Sequence, residues 1–349
     1  MNTSILTAVR TRVGRIRRAA RRIIVRSRQA ARRLDPATSQ RYKDHVISRA
    51  LETPLGEYPF FHLSIAEILP PDLFEGLRKL MSQEKNSGAR QDRGQDSPLY
   101  VTRRSPLYDS MDRHALHLRR IFNDPEVIRA FLSRFYVNPT DELVQSLSIL
   151  DREFEFTYCE PDRFQNIHCD LPTKYLSFVI YFADGELTPE EQRRNGTVLY
   201  NADVEPVYSA EFEANRAVCF ASHFRSYHGF STTIHRDALV IFIVDRSLND
   251  AWFRARPWAE KSPFPFWAER MEHKLRSAPM LEFSNDPDAI SAARASTRVN
   301  APEGRVLVDD DGRPVPPPPS ALSTEQDVMQ DAQHESRRVP WRRELIPGL

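Results

Sequence analysis

Two rhythms of apolar and polar positions alternate along this chain, and the switches between them predict its layout. Over residues 5–34, "ILTAVRTRVGRIRRAARRIIVRSRQAARRL", the residues Leu6, Val9, Val13, Ile16, Ala20 and Ile23 keep a helical spacing, with arginine on the remaining faces. Within 52–84, "PFFHLSIAEILPPDLFEGLRKLMSQ" predicts a short strand, a turn at Pro70-Pro71 and an amphipathic helix. Residues 86–105 are polar and predict loop. Residues 113–136 predict a helix that buries Leu116, Leu118, Ile121, Phe122, Val127, Ile128, Phe131 and Leu132.

Between 143 and 246 the rhythm changes. The runs "LVQSLSILDREFEFTYCE", "KYLSFVIYFA", "GTVLYN", "YSAEFEANRAVCFAS" and "RDALVIFIVDR" follow one another, with turn signals at Asp184-Gly185 and Asn195-Gly196. Strands in close succession without helical spacers predict an antiparallel sandwich or barrel. After 250, "NDAWFRARPWAEKSPFPFWAERMEHKLR" predicts a helix packed on that core. From about 284 the chain turns polar, with "RPVPPPPS" at 313–320. That tail, 284–349, is expected to be disordered, a partner-docking motif being the alternative. The fold class is therefore mainly β with flanking helices. A basic arm (1–40) precedes one domain (52–280), and the tail follows it.

Charge sharpens the division. The net charge of +1 hides 11 arginines and no acidic residue in positions 1–34, which leaves 38 basic against 48 acidic side chains in the rest. The arm is either a solvated helix or an attachment to an anionic membrane surface, where each basic residue contributes about 1 kcal/mol. Nucleic acid is the weaker alternative, and an Arg-rich, acid-free start also suits a transit peptide. The cysteines Cys159, Cys169 and Cys219 are odd in number and show no CxxC spacing. That argues against a disulfide framework or a cysteine zinc site, and for a reducing compartment. No apolar run approaches the roughly 18 residues of a spanning helix. The expectation is a cytoplasmic protein, soluble or membrane-peripheral. There is no GxSxG, phosphate loop, GxGxxG or HExxH.

Candidate chemistry begins at "FQNIHCDLPTKYLSFVIYF", residues 164–182. In a strand, residues i and i+2 share a face, so His168 and Asp170 project together and Cys169 points away. Alone, an HxD pair is a weak signal. Downstream, His228 sits in a Tyr-His-Gly context, and Arg236 opens a very apolar strand eight residues later. A third ligand from another strand would complete a two-His-one-carboxylate triad, which leaves positions on ferrous iron open. An arginine at the head of a buried strand needs a carboxylate partner, and its planar fork grips one in two hydrogen bonds. His223 and His235 flank His228 as alternative ligands. The first lies thirteen residues before Arg236, and the second is adjacent to it and would face the other way.

With these residues, the stretch from about 150 to 246 resembles the iron(II)/2-oxoglutarate-dependent oxygenases of the prolyl-4-hydroxylase-like superfamily, with a weaker echo at 59–82. The family pattern is H-x-D, a distal histidine, and a basic residue eight to ten positions on. His168, Asp170, His228 and Arg236 match it. The resemblance implies a double-stranded β-helix (jelly-roll, cupin-like) core at about 143–246. It implies Fe(II) on His168, Asp170 and His228, and 2-oxoglutarate anchored by Arg236 with help from Tyr181. Ser177 and Tyr181 match a Ser/Thr-x-x-x-Tyr pair, and Tyr158 a pocket tyrosine or, equally, a core tyrosine. Asn195-Gly196-Thr197 and Asn215-Arg216 match family turns. Dioxygen is the further cosubstrate, and the implied reaction is hydroxylation with release of succinate and CO2. Asp170 argues against the related halogenases, which carry a small residue there. Lys174 is expected to be solvated. The substrate is a small molecule or a protein side chain. The alternatives are a nucleic-acid demethylase of the same superfamily and a catalytically silent jelly-roll adaptor.

Overall fold

The structure is a computed structural model and describes residues 34–86, 91–92, 100–102, 112–149, 154–247, 264–283, 286–296, 307–308 and 314–315. The arm up to residue 33 and most of the proline-rich stretch lie outside the described residues. So do the membrane, nucleic-acid and docking expectations attached to them. No helix among the described residues is long and apolar enough to cross a membrane.

Helix α1 (Pro36–Glu52) takes the last residues of the expected arm and runs up to the start of the expected domain. Asp35 caps it by accepting from the Thr38 N–H at 2.9 Å, and Tyr42, Val46 and Ala50 bury one face at four-residue spacing. Helix α2 (Pro71–Asn86) starts at the Pro-Pro turn, since a proline costs nothing at the first helical position. The helix expected over 113–136 is two: α3 (Arg113–Phe122) and α4 (Pro125–Leu132). Pro125 has no N–H to continue the ladder, and Asp124 caps the new start through the Glu126 N–H at 2.9 Å. All eight positions expected to be buried there are buried. Helix α5 (Asp141–Ser146), capped by Thr140, takes residues expected as the start of a strand. Helix α6 (Pro189–Arg194) carries a full capping box between Thr188 and Glu191.

The strands of the domain form two antiparallel sheets, and within the expected tail Leu307–Val308 pairs with Pro314–Val315 as a separate two-stranded one. The major sheet joins β1 (Leu55–Gly56), β2 (His62–Ile65), β11 (Ala217–Phe220), β8 (Lys174–Tyr181), β13 (Arg236–Asp245), β6 (Phe154–Cys159), β4 (Tyr100–Thr102) and β3 (Gln91–Asp92) in that order, with β5 (Leu147–Ser148) also on β13. The minor sheet runs β10 (Pro206–Ser209), β9 (Val198–Tyr200), β12 (His228–Thr232), β7 (Arg163–His168). From β6 onward the chain crosses between sheets at almost every step, which is the winding of a double-stranded β-helix. β3 and β4 lie in the interval expected as loop, where "YVT" supplies β-formers that pair with Phe156–Tyr158.

The two faces of the major sheet do different work. Phe156, Tyr158, Phe178, Ile180, Leu239 and Ile241 point outward into the main core, beneath the helices. Val179, Tyr181, Val218, Phe220 and Ala238 point inward and meet Leu199, Tyr208 and Ala210 from the minor-sheet side. Helix α7 (Phe264–Ser277) is the one expected after 250 and buries Trp267, Met271 and Leu275. Helix α8 (Pro287–Ser296) falls within the expected tail, yet it buries Ile290 and Ala293.

Two turns fix this frame. At Gly196 an added Cβ would stand 1.5 Å from the Ala210 carbonyl oxygen, so only glycine allows that approach. Asn215 adopts a left-handed φ of 62°. Its side chain accepts from the Leu69 N–H at 3.0 Å and donates to the Leu69 carbonyl at 2.7 Å, tying the start of α2 to β11. Asn215→Ala is expected to cost about 2–4 kcal/mol in urea unfolding. Asn215→Gly should recover about 1 kcal/mol of that loss, because it relieves the backbone but not the lost bonds.

Candidate active site

The strand register builds the site. His168 ends β7 and His228 begins β12, and the two are directly paired across the minor sheet. Their ring centroids lie 4.3 Å apart. The pairing shifts register between His228 and Phe230, a bulge of the kind that re-aims a side chain. Asp170 sits in the turn that carries the chain from β7 to β8. Its Oδ1 is 4.0 Å from His168 Nε2, and its Oδ2 is 3.9 Å from His228 Nε2. One ligand atom from each of the three lies within 4.8 Å of the others.

The protonation states suit a cation. His228 Nδ1 donates to the Ser226 carbonyl at 2.9 Å, which leaves the Nε2 lone pair facing Asp170. Burial and the neighbouring His168 pull the His228 pKa down to about 3, so the ring is neutral near pH 7. Burial pushes the Asp170 carboxyl up, but Lys174, His228 and His168 outweigh it and hold it well below the usual carboxylate range. The site thus offers the neutral imidazole of His228, the imidazole of His168 and one ionised oxygen donor, a set that fits a divalent iron. The side chain of His168 is 29% exposed while that of Asp170 is 2% exposed, so the cluster opens on the His168 side.

Asp170 is held on every side. Lys174 Nζ pairs with Oδ1, and Ser177 Oγ donates to Oδ2 at 2.6 Å. Lys174 is not the solvated side chain that its position suggests. Its ammonium lies between Asp170 and the Phe242 ring, 3.5 Å from the ring centroid. Ser177 and Tyr181 share the inner face of β8, but Ser177 meets the carboxylate while Tyr181 reaches a second cluster.

That second cluster centres on Arg236, the first residue of β13 and 2% exposed. Its Nε donates to the Asn195 carbonyl and its Nη2 to Thr197 Oγ1, each at 3.0 Å. Tyr181 Oη donates to the same Thr197 hydroxyl at 2.7 Å. The guanidinium lies 3.7 Å over Phe230. No acidic group among the described residues pairs with it, and its bonds to Asn195, Thr197 and Tyr181 use only part of the five-donor fork. A buried cation in this state suits an anionic guest. Asn195 is wholly buried and its Oδ1 accepts from the Thr232 hydroxyl and the Thr233 N–H.

The structure does not bring Tyr158 to this interior. Cys159 pairs with Arg236 across the sheet and Tyr158 with Asp237, so Tyr158 faces the helices, where its hydroxyl donates to the Met81 carbonyl at 3.2 Å. His235 is exposed. His223 is buried elsewhere, with Nε2 3.4 Å from Glu282 and Nδ1 accepting from the Arg225 N–H. The three cysteines are free, and burial pushes each thiol up, as suits packing residues.

No family model matches this chain, and no curated protein does. Solved structures do match. The chain is similar to prolyl hydroxylases and other 2-oxoglutarate–iron(II) oxygenases. A Trichoplax adhaerens prolyl hydroxylase, solved with a hypoxia-inducible-factor peptide, aligns at TM-score 0.42 and 11% identity over 60% of this chain and 92% of its own. A Pseudomonas putida prolyl-4-hydroxylase aligns at TM-score 0.37 and 16% identity over 58% and 99%. The epimerase SnoN from nogalamycin biosynthesis aligns at TM-score 0.37 and 11% identity over 60% and 84%.

The acid–base pair behind the site makes stability depend on pH. Burial pushes the Glu282 carboxyl up from 4.5 to about 7. Across that window the folded chain keeps a proton that the unfolded chain has released. The stability tied to Glu282 is therefore full below pH 4.5 and lost as pH rises through about 7. Glu282→Gln should gain stability relative to wild type by about 2–3 kcal/mol between pH 5 and pH 8, read as a widening Tm difference.

Proposed function

We propose that this chain is an iron(II)- and 2-oxoglutarate-dependent oxygenase, with hydroxylation of a small molecule or a protein side chain as its reaction. One observation carries the proposal: a two-His-one-carboxylate cluster and a buried arginine without a carboxylate partner share the interior between two sheets. His168, Asp170 and His228 would hold the iron, and Arg236 with Thr197 and Tyr181 would hold the far carboxylate of 2-oxoglutarate. Bound together, iron and 2-oxoglutarate supply oxidation of a substrate by dioxygen, with release of succinate and CO2.

The protein supplies geometry and charge. Lys174 and Ser177 fix the Asp170 carboxylate in one rotamer. The Ser226 carbonyl fixes the tautomer and plane of His228. Phe220, 4.4 Å from the His228 ring centroid, and the inward apolar wall keep water from the interior. Arg236 is pre-aimed by the Asn195 carbonyl, so its fork loses little freedom on gripping a guest.

A second reading has one observation in its favour. Lys174 and Ser177 already satisfy both Asp170 oxygens, as a catalytically silent jelly-roll adaptor would require. Succinate release from 2-oxoglutarate with added Fe(II), together with iron binding, separates the two. Neither occurring would sink the oxygenase and leave the adaptor.

Asp170→Ala is expected to reduce iron-dependent succinate release to background while the circular dichroism spectrum stays unchanged; normal turnover would remove Asp170 from the ligand set. Arg236→Lys keeps the charge and loses the fork. It should raise the 2-oxoglutarate KM roughly tenfold with a smaller change in kcat. An unchanged KM would count against the anchor.

A further inference from the structure

Lys274 on α7 is 0% exposed. It has no ion-pair partner among the described residues. Its Nζ donates to two backbone carbonyls, those of Lys174 and Ser222, each at 2.7 Å, and sits 4.8 Å from the Tyr175 ring centroid. Burial pulls its pKa down to about 7. A helix that only packed here would seat methionine or leucine without removing an amine from water. The amine is therefore to be explained by what its two acceptors do.

Both acceptors belong to the frame of Asp170. Lys174 is the residue whose ammonium holds Asp170 Oδ1. Ser222 Oγ donates to the carbonyls of Asp170 and Leu171, each at 3.1 Å. Two turns earlier on the same face of the helix, Trp267 Nε1 donates to the Asp170 carbonyl at 3.3 Å, with its ring edge-on to Phe224. The turn that carries the carboxylate is thus gripped from outside the two sheets by two side chains of one helix.

We propose that α7 positions the metal centre, Lys274 and Trp267 fixing the Asp170 turn so that its carboxylate meets the ion in a single orientation. Neither side chain touches the ion; both act through Asp170. The proposal rests on the metal-binding reading above and adds to it a requirement for a helix that follows the jelly roll.

Co(II) binding to the full chain, followed by its visible absorption, tests this without turnover. Lys274→Met should weaken Co(II) binding roughly tenfold or more and alter the absorption envelope. Trp267→Phe, which keeps the ring and loses one N–H, should weaken it about threefold and carries the test if Lys274→Met does not fold. Leu275→Ala, on the same helix and fully buried but making no bond to the turn, should lower Tm while leaving Co(II) affinity and spectrum as in wild type. Wild-type affinity and spectrum in both Lys274→Met and Trp267→Phe would overturn the proposal. So would a Leu275→Ala variant that binds Co(II) as weakly as Lys274→Met. A wild-type chain that binds no Co(II) would instead overturn the metal centre itself.

Discussion

A carboxylate taken almost entirely out of water must be compensated from within the fold, and much of this structure follows from how that is done for Asp170. Its burial alone would favour the neutral acid, which is a poor ligand. Two imidazoles, one ammonium and one hydroxyl surround it instead and keep it ionised. Each of those groups has its own demand. His228 needs the Ser226 carbonyl, and Lys174 needs the Phe242 ring to sit against. Its backbone carbonyl, in turn, accepts from Lys274. One buried negative charge therefore organises residues from β7, β8, β12, β13 and α7.

The two sheets divide the task. The minor sheet contributes both histidines as a cross-strand pair, so one register fixes their separation. The major sheet contributes Ser177 and Tyr181 from the inner face of β8 and Arg236 from the start of the neighbouring β13. Arg236 is the counterpart of Asp170, a buried charge of opposite sign. Asp170 is surrounded, whereas Arg236 is seated on aromatic rings and backbone with its fork incompletely used. The negative charge is thus compensated by polar side chains of the fold, whereas the positive one meets no carboxylate among the described residues.

Much of this was legible in the chain. The i, i+2 placement of His168 and Asp170, and the arginine opening the apolar strand at 236, follow from strand period and the cost of burying charge. The strand-rich interval and the buried stripe over 113–136 follow from periodicity. What escaped depends on partners distant in sequence. Tyr158 and Cys159 are neighbours, and only the register with β13 decides which of them faces inward. Thr197 became visible as the meeting point of Tyr181 and Arg236 only when three strands were in place. Trp267 and Lys274 lie in the helix predicted after 250, and their bonds to the Asp170 frame span about a hundred residues. Pro125 carried a local signal for a break in the helix, and the apolar stripe running through it outweighed that signal.

The place of β13 in the major sheet bears on how the molecule comes into being. It is the last strand of the jelly roll, yet it lies between β8 and β6, and it is also where Arg236 begins. During synthesis, β6 and β8 leave the ribosome long before the strand that joins them. Until then each exposes an unpaired edge, and such edges recruit other chains. Pairings of this sequence separation close slowly, because the loop entropy is lost before the contacts form. The nascent chain thus has an interval in which its apolar strands stand open and His168, Asp170 and His228 are not yet brought together. That interval ends only when Arg236 and the strand it opens arrive.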